Sequence, residues 1–210
     1  MYTLYGFKGS GSASVEMALR VAGVDYRIVN AAEWEPKSNI DELRRINPLG
    51  QIPTLVLPDG SVMSESAAIL IHLGLAMAPG VLLPANEAAR AQAIRGLVYI
   101  PANCYSCITI LDYPERFTSA QDKESLEHVR AGTRARLHKH WEIFADTFKG
   151  APFLNGDAPG ALDFFAAVVS RWAGTRAHLA EHRPQFTELL ARIESHPSVA
   201  DVFNAHWEKK

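Results

Sequence analysis

The sequence predicts a mixed α/β domain over residues 1–80 followed by an all-α domain over residues 86–210. Three observations carry this. Short β-branched and aromatic runs alternate with helical patterns before residue 65, as in a βαβ unit completed by a hairpin. Pro79-Gly80 and Pro84 then punctuate the chain. Beyond them only helical periodicity is found.

Each element follows from its residues. Tyr2-Thr3-Leu4-Tyr5 reads as a strand stopped by Gly6. After the loop Gly9-Ser10-Gly11-Ser12, Val15, Ala18, Leu19 and Ala22 recur at helical spacing and Gly23 ends the run. Residues 26–29 form a second strand, residues 40–46 a short helix, and Asn47-Pro48-Leu49-Gly50 a turn. Residues 52–57, the turn Pro58-Asp59-Gly60 and Ser61-Val62-Met63 make a hairpin. Ser64-Glu65-Ser66 leads into an apolar helix over 67–76. Further helices are expected over 87–112, 119–148, 161–178, 186–194 and 198–207.

Composition excludes several classes. With 48% hydrophobic and 21% charged residues the chain is neither disordered nor fibrous. Residues 1–80 hold six Lys/Arg against eight Asp/Glu, and the remainder fifteen of each, so neither part can neutralise a phosphate backbone and no nucleic-acid partner is expected. No basic-then-apolar leader and no stretch of about 18 apolar residues is read, which gives the expectation of a cytoplasmic protein without a membrane partner. Cys104 and Cys107 are too few for a disulfide scaffold, and their C-x-x-C lies in the helical half. No second such pair exists, and His138 and His140 fall on different helix faces, so no metal site is expected.

Three features could carry chemistry. The loop at Gly9–Ser12 precedes a helix whose N-terminus attracts anions, and its serine hydroxyls could donate to a thiolate or carboxylate; read alone, it is equally a plain N-cap. Ile52-Pro53 opens a strand, either as an ordinary trans proline or as a cis bond turning the Ile52 N–H and C=O toward an extended ligand. Glu65-Ser66 at a helix start could hold an ammonium and a carboxylate, or simply cap the helix. Together they offer sites for a thiol, a peptide backbone and an amino-acid head group, which are the parts of glutathione.

The segments Asn47-Pro48-Leu49-Gly50-Gln51-Ile52-Pro53-Thr54-Leu55 and Glu65-Ser66-Ala67-Ala68-Ile69 resemble the glutathione S-transferase superfamily, with the look of its bacterial members. So do Ala22-Gly23-Val24-Asp25-Tyr26, Phe153-Leu154-Asn155-Gly156-Asp157, Ala161-Leu162-Asp163 and Arg171-Trp172, and the resemblance spans nearly the whole chain. It implies a thioredoxin-like first domain and a helical second one. Pro53 would be the cis-proline, Ile52 would pair with the cysteinyl backbone, Gln51 would assist at the glycyl end or the backbone, and Glu65 and Ser66 would take the γ-glutamyl group. Asp163 would be the family's buried structural aspartate, with Gly160 where a Ser or Thr cap is usual. Counted back from Tyr26, the serine of theta- and zeta-like members falls on Gly9 and the cysteine of beta-like members on Gly11. Ser10 and Ser12 flank both and are the two candidates for activating the thiol. Phe7, Tyr99, Asn103 and Trp172 are the candidates for lining an electrophile pocket between the domains.

Activation has a known scale. Lowering a thiol pKa of about 8.5 by two units needs about 2.7 kcal/mol of preference for the thiolate. A helix end supplies about 0.3–1 and at most ~2 kcal/mol, and a hydroxyl donating to an anion about 1.5–3 kcal/mol. One hydroxyl and one helix end therefore suffice. The resulting expectation is a homodimeric transferase that joins glutathione, as co-substrate and without a metal, to small hydrophobic electrophiles in detoxification. A glutathione-dependent isomerase, reductase or lyase, or a binding or stress-associated protein with little turnover, is the alternative.

Overall fold

The computed structural model describes residues 1–207. Strands β1 (Tyr2–Gly6), β2 (Tyr26–Asn30), β3 (Thr54–Val56) and β4 (Val62–Met63) form one sheet in the order β2-β1-β3-β4. β1 pairs parallel with β2, through Leu4 opposite Ile28, because helix α1 (Ser12–Val21) carries the chain across between them. The short helix α2 (Ile40–Ile46) precedes β3, which runs antiparallel to β1 and to β4. Helix α3 (Ser66–His72) continues as a π-helical turn over Leu73–Met77. The four-stranded mixed sheet followed by helices is the thioredoxin-like plus all-α arrangement expected from the sequence.

The second half is helical: α4 (Glu87–Tyr99), α5 (Ser106–Asp112), α6 (Lys123–Thr147), α7 (Ala161–Val169), α8 (Thr175–His182), α9 (Pro184–Glu194) and α10 (Ala200–Trp207). Two expectations are corrected. The helix expected over 161–178 is two helices, broken between Val169 and Thr175, with Gly174 as N-cap at φ 76°. The run Glu87–Asp112 spans 26 residues with mean hydropathy 1.2, so by length and composition it could cross a bilayer, contrary to the sequence reading. Here its buried residues, Ala93, Leu97, Ile100, Cys104 and Ile108 among them, belong to the protein core.

That run contains a π-helical segment, Ile100–Tyr105. Pro101 has no N–H to give and its ring crowds the carbonyl four residues back, so the α-helical register cannot pass through it unchanged. The extra residue in the turn rotates everything after it, which decides which side chains face the sheet domain.

One hydrophobic core runs through both halves, from Leu4, Val15 and Leu70 to Trp141, Phe164 and Phe165. Helix α7 is its centre: every residue of Ala161–Val169 is buried. Its start is fixed by Asp163, whose carboxylate accepts the N–H groups of Leu154 at 2.8 Å, Asn155 at 3.0 Å and Gly160 at 3.0 Å. Gly160 has a packing reason. A Cβ there would lie 2.5 Å from Asn155 Cγ and 2.6 Å from the Leu82 carbonyl oxygen, so a Ser or Thr cap has no room. The Leu82 carbonyl also accepts the Ala161 N–H at 2.8 Å and ties the linker to α7.

Candidate functional site

A cavity of about 940 Å³ opens between the sheet domain and the helices. Its sheet-domain wall begins at Gly9, Ser10 and Gly11. The loop is pinned from far away in the sequence: the Gly9 N–H donates to His206 Nδ1 at 3.0 Å, and His206 Nε2 lies 2.7 Å from Glu16 Oε2. With Nδ1 accepting, the imidazole carries its proton on Nε2 and donates to Glu16.

The two serines are placed differently. Ser10 lines the cavity, whereas Ser12 is not among its lining residues and lies buried behind the loop. Ser10 Oγ donates to the Phe7 carbonyl at 2.8 Å and lies 2.8 Å from Ser12 Oγ. Ser12 Oγ reaches the same carbonyl at 3.2 Å and accepts the Phe7 N–H at 3.1 Å. Both hydroxyl protons are therefore engaged inside the loop, and neither serine can donate outward without breaking one of these bonds. The Gly11 N–H, at the start of α1, has no hydrogen-bond partner among the described residues.

The next wall is Leu49 to Pro53. Asn47 sets its shape: Nδ2 donates to Thr54 Oγ1 at 2.8 Å, Oδ1 accepts the Leu49 N–H at 3.2 Å, and Thr54 Oγ1 donates to the Gln51 carbonyl at 2.8 Å. The Ile52–Pro53 bond is cis. Ile52 N–H and C=O form no hydrogen bond among the described residues and remain open to a ligand backbone. Glu65 and Ser66 follow on the cavity wall, with the Ser66 hydroxyl unpartnered among the described residues. Glu65 has φ 65°, an uncommon value for a residue with a side chain. Such a backbone costs about 1–3 kcal/mol and is often found where a side chain must be aimed at a ligand.

The helical wall brings Pro101, Tyr105, Ile108, Leu111, Phe165 and Trp172, together with Arg116, Arg130 and Arg134. Of the expected site residues, Ser10, Gln51, Ile52, Pro53, Glu65, Ser66 and Trp172 thus share one cavity. Phe7, Tyr99 and Asn103 do not line it. Phe7 stands edge-on to Trp34 at 5.6 Å. Tyr99 points into the helical core, its hydroxyl donating to the His140 carbonyl at 3.0 Å and its ring 5.8 Å from Phe144. Asn103 donates back to the Tyr99 carbonyl at 3.1 Å. Cys104 and Cys107 are buried free thiols, and burial pushes both pKa values up, so they stay unreactive thiols.

The sequence reading missed Tyr105 and His206. Pro101 inside a helical run was the available signal for the first. No local pattern announces the second, since His206 meets Gly9 across 197 residues.

Comparison with known proteins adds to this geometry. Residues 12–75 match the family described as "Glutathione S-transferase, N-terminal domain". The chain is 36% identical over 204 residues to "Uncharacterized GST-like protein YncG" of Escherichia coli (strain K12), covering 96% of this chain and 97% of that one. It is 37% identical over 214 residues to "Glutathione S-transferase zeta class" of Euphorbia esula, covering 97% and 88%. A solved glutathione transferase homologue from Sulfitobacter, with bound glutathione, superposes with a TM-score of 0.81 at 22% identity over 96% of each chain. With the motifs at Asn47–Pro53 and Glu65-Ser66 gathered on one cavity and relatives alike over nearly their full length, the chain belongs to the glutathione S-transferase family.

Proposed function

We propose that the protein joins the sulfur of glutathione to a small hydrophobic electrophile held between its two domains. One observation carries this reading. A single cavity collects the open backbone of Ile52, the Glu65-Ser66 pair and the N-terminus of α1. These match the cysteinyl backbone, the γ-glutamyl head group and the sulfur of one glutathione molecule.

The chemistry follows from the placement. Ile52 pairs with the cysteinyl amide as an added strand would. Glu65 takes the ammonium and Ser66 the α-carboxylate, with Gln51 toward the glycyl end. The sulfur then lies by Gly11, where the helix end and an unpartnered N–H favour the thiolate. The thiol proton leaves to solvent, the thiolate forms the S–C bond, and the electron pair departs with the leaving group or is protonated where the electrophile is an activated alkene. The protein contributes orientation and charge stabilisation without forming a covalent bond itself. Ile108, Leu111, Phe165 and Trp172 offer the electrophile apolar surface, while Arg116, Arg130 and Arg134 favour one that also carries a carboxylate.

Titration calorimetry with glutathione, paired with thiolate absorbance against pH, tests the reading. Binding is expected, with the bound thiol titrating about one to two pH units below its usual ~8.5. An unshifted thiol would favour a binding protein with little turnover, and no binding at millimolar glutathione would overturn the reading. A screen pairing each neutral electrophile with a carboxylate-bearing analogue would then show whether the arginines select.

The assembly proposed is a homodimer. Leu75, Met77, Val81 and Val98 are exposed apolar side chains that such an interface would cover. Sedimentation velocity is expected to give twice the chain mass, and a monomer would remove this assignment.

A further inference from the structure

Tyr105 ends the π-helical segment and lines the cavity. Its ring lies 5.6 Å from that of Trp172, tilted by 31°. Its hydroxyl meets the loop of the other domain end-on. A Cβ built on Gly11 would stand 2.8 Å from the Tyr105 hydroxyl oxygen and 3.6 Å from Cε1 and Cζ. Gly11 has φ −58°, which any residue adopts, so what a side chain lacks there is space and not conformation. The phenol occupies the place that a side chain at position 11 would take.

Hydroxyl accounting gives this approach its meaning. The protons of Ser10 and Ser12 are engaged with the Phe7 carbonyl and with each other. The Ser106 hydroxyl donates to the Ala102 carbonyl at 3.0 Å. The Tyr105 hydroxyl has no hydrogen-bond partner among the described residues, and neither has the Gly11 N–H beside it. An unengaged O–H and an unengaged N–H thus meet at the helix end, on the wall of the cavity. Two such donors at one point form a site for an anion, as donors preorganised around an oxyanion do.

We propose that the Tyr105 hydroxyl, together with the Gly11 N–H, donates to the glutathione sulfur and is the side-chain donor that holds it as a thiolate. This rests on the function proposed above and names the activating group within that site, on the helical domain and not on the serine loop. Burial raises the Tyr105 pKa to about 12, with Asp112 adding to the shift, so the phenol remains a protonated donor across the working range. Glu33, Glu65, Asp112, Arg116, Arg130 and Arg134 are the other charged side chains on the cavity, and the arginines also favour an anion there.

Tyr105→Phe is the direct test, since it keeps the ring against Trp172 and removes one oxygen. The bound thiol is expected to titrate about one to two pH units higher than in the parent protein. The glutathione Kd should change by less than about threefold, because the head-group and backbone contacts are untouched. kcat/KM near pH 6.5 should fall about 10-fold or more and recover toward the parent value in alkali, where the thiol ionises unaided. Gly11→Ala tests the same contact from the other side, because its Cβ displaces the hydroxyl. It should raise the thiol pKa in the parent protein and add little in the Tyr105→Phe background. A bound thiol that titrates alike in parent and Tyr105→Phe proteins overturns the assignment. So does a Gly11→Ala effect that persists in full without the hydroxyl. Failure of the parent protein to bind glutathione would overturn the functional reading as well, and calorimetry on the parent separates the two outcomes.

Discussion

Asp163→Ala is expected to cost about 3–5 kcal/mol of unfolding free energy, a large part of the stability of an ordinary domain. The carboxylate is completely buried and accepts three backbone N–H groups, from Leu154, Asn155 and Gly160. Removing it leaves three donors without partners in a dry setting, each worth about 1–3 kcal/mol before the loop relaxes. It also releases the start of α7, the helix on which both domains pack. Urea denaturation measures the loss, and a change below about 1 kcal/mol would show that the loop holds itself without the carboxylate. The pH dependence has a definite sign. Burial raises the Asp163 pKa to about 7, while the three N–H donors restrain the rise. The unfolded value is about 3.9, so the native state holds the proton more tightly. Its contribution is complete below about pH 4 and is lost as the pH rises through 7. In Asp163→Asn, neutral throughout, that part of the slope should vanish.

Glu65→Gln is expected to weaken glutathione binding about 10- to 100-fold, with kcat at saturation little changed. A hydrogen bond to a charged partner is worth about 1.5–3 kcal/mol, and each 1.4 kcal/mol is about tenfold. Glutamine has the same shape and the same difficulty at φ 65°, so the substitution removes charge without altering the backbone. Calorimetry with glutathione and with an analogue lacking the γ-glutamyl ammonium separates the causes. The parent protein should discriminate strongly between the two ligands and the variant weakly. Equal discrimination by both would place the ammonium elsewhere.

The features that were legible in the sequence are those whose causes are local. Asn47-Pro48-Leu49-Gly50 announces a turn, and the Asn47 side chain builds the wall on which Ile52 is presented. Glu65-Ser66 marks the start of α3, and Leu4, Leu55 and the α1 residues show their burial through ordinary periodicity. Tyr99 and Asn103 were expected on the cavity because a uniform 3.6-residue period was carried through the run 87–112. The π-helical turn at Ile100–Tyr105 changes that phase, turning Tyr99 into the core and Tyr105 toward the sheet domain. Phe7 could not be placed, because its choice between the cavity and Trp34 depends on a loop that the sequence does not fold on paper. The serine hydroxyls were identified, but their mutual engagement is a three-dimensional fact.

The bond between Gly9 and His206 also governs when the site comes into being. During synthesis β1, α1 and the hairpin emerge early and can pair at once, yet the loop at Gly9 has no clamp until translation has passed residue 206. A growing chain therefore carries the binding wall long before it carries a fixed sulfur-facing loop. Proteolytic trimming that removes α10 returns the molecule to that immature condition, with the glutathione wall intact and the loop unheld.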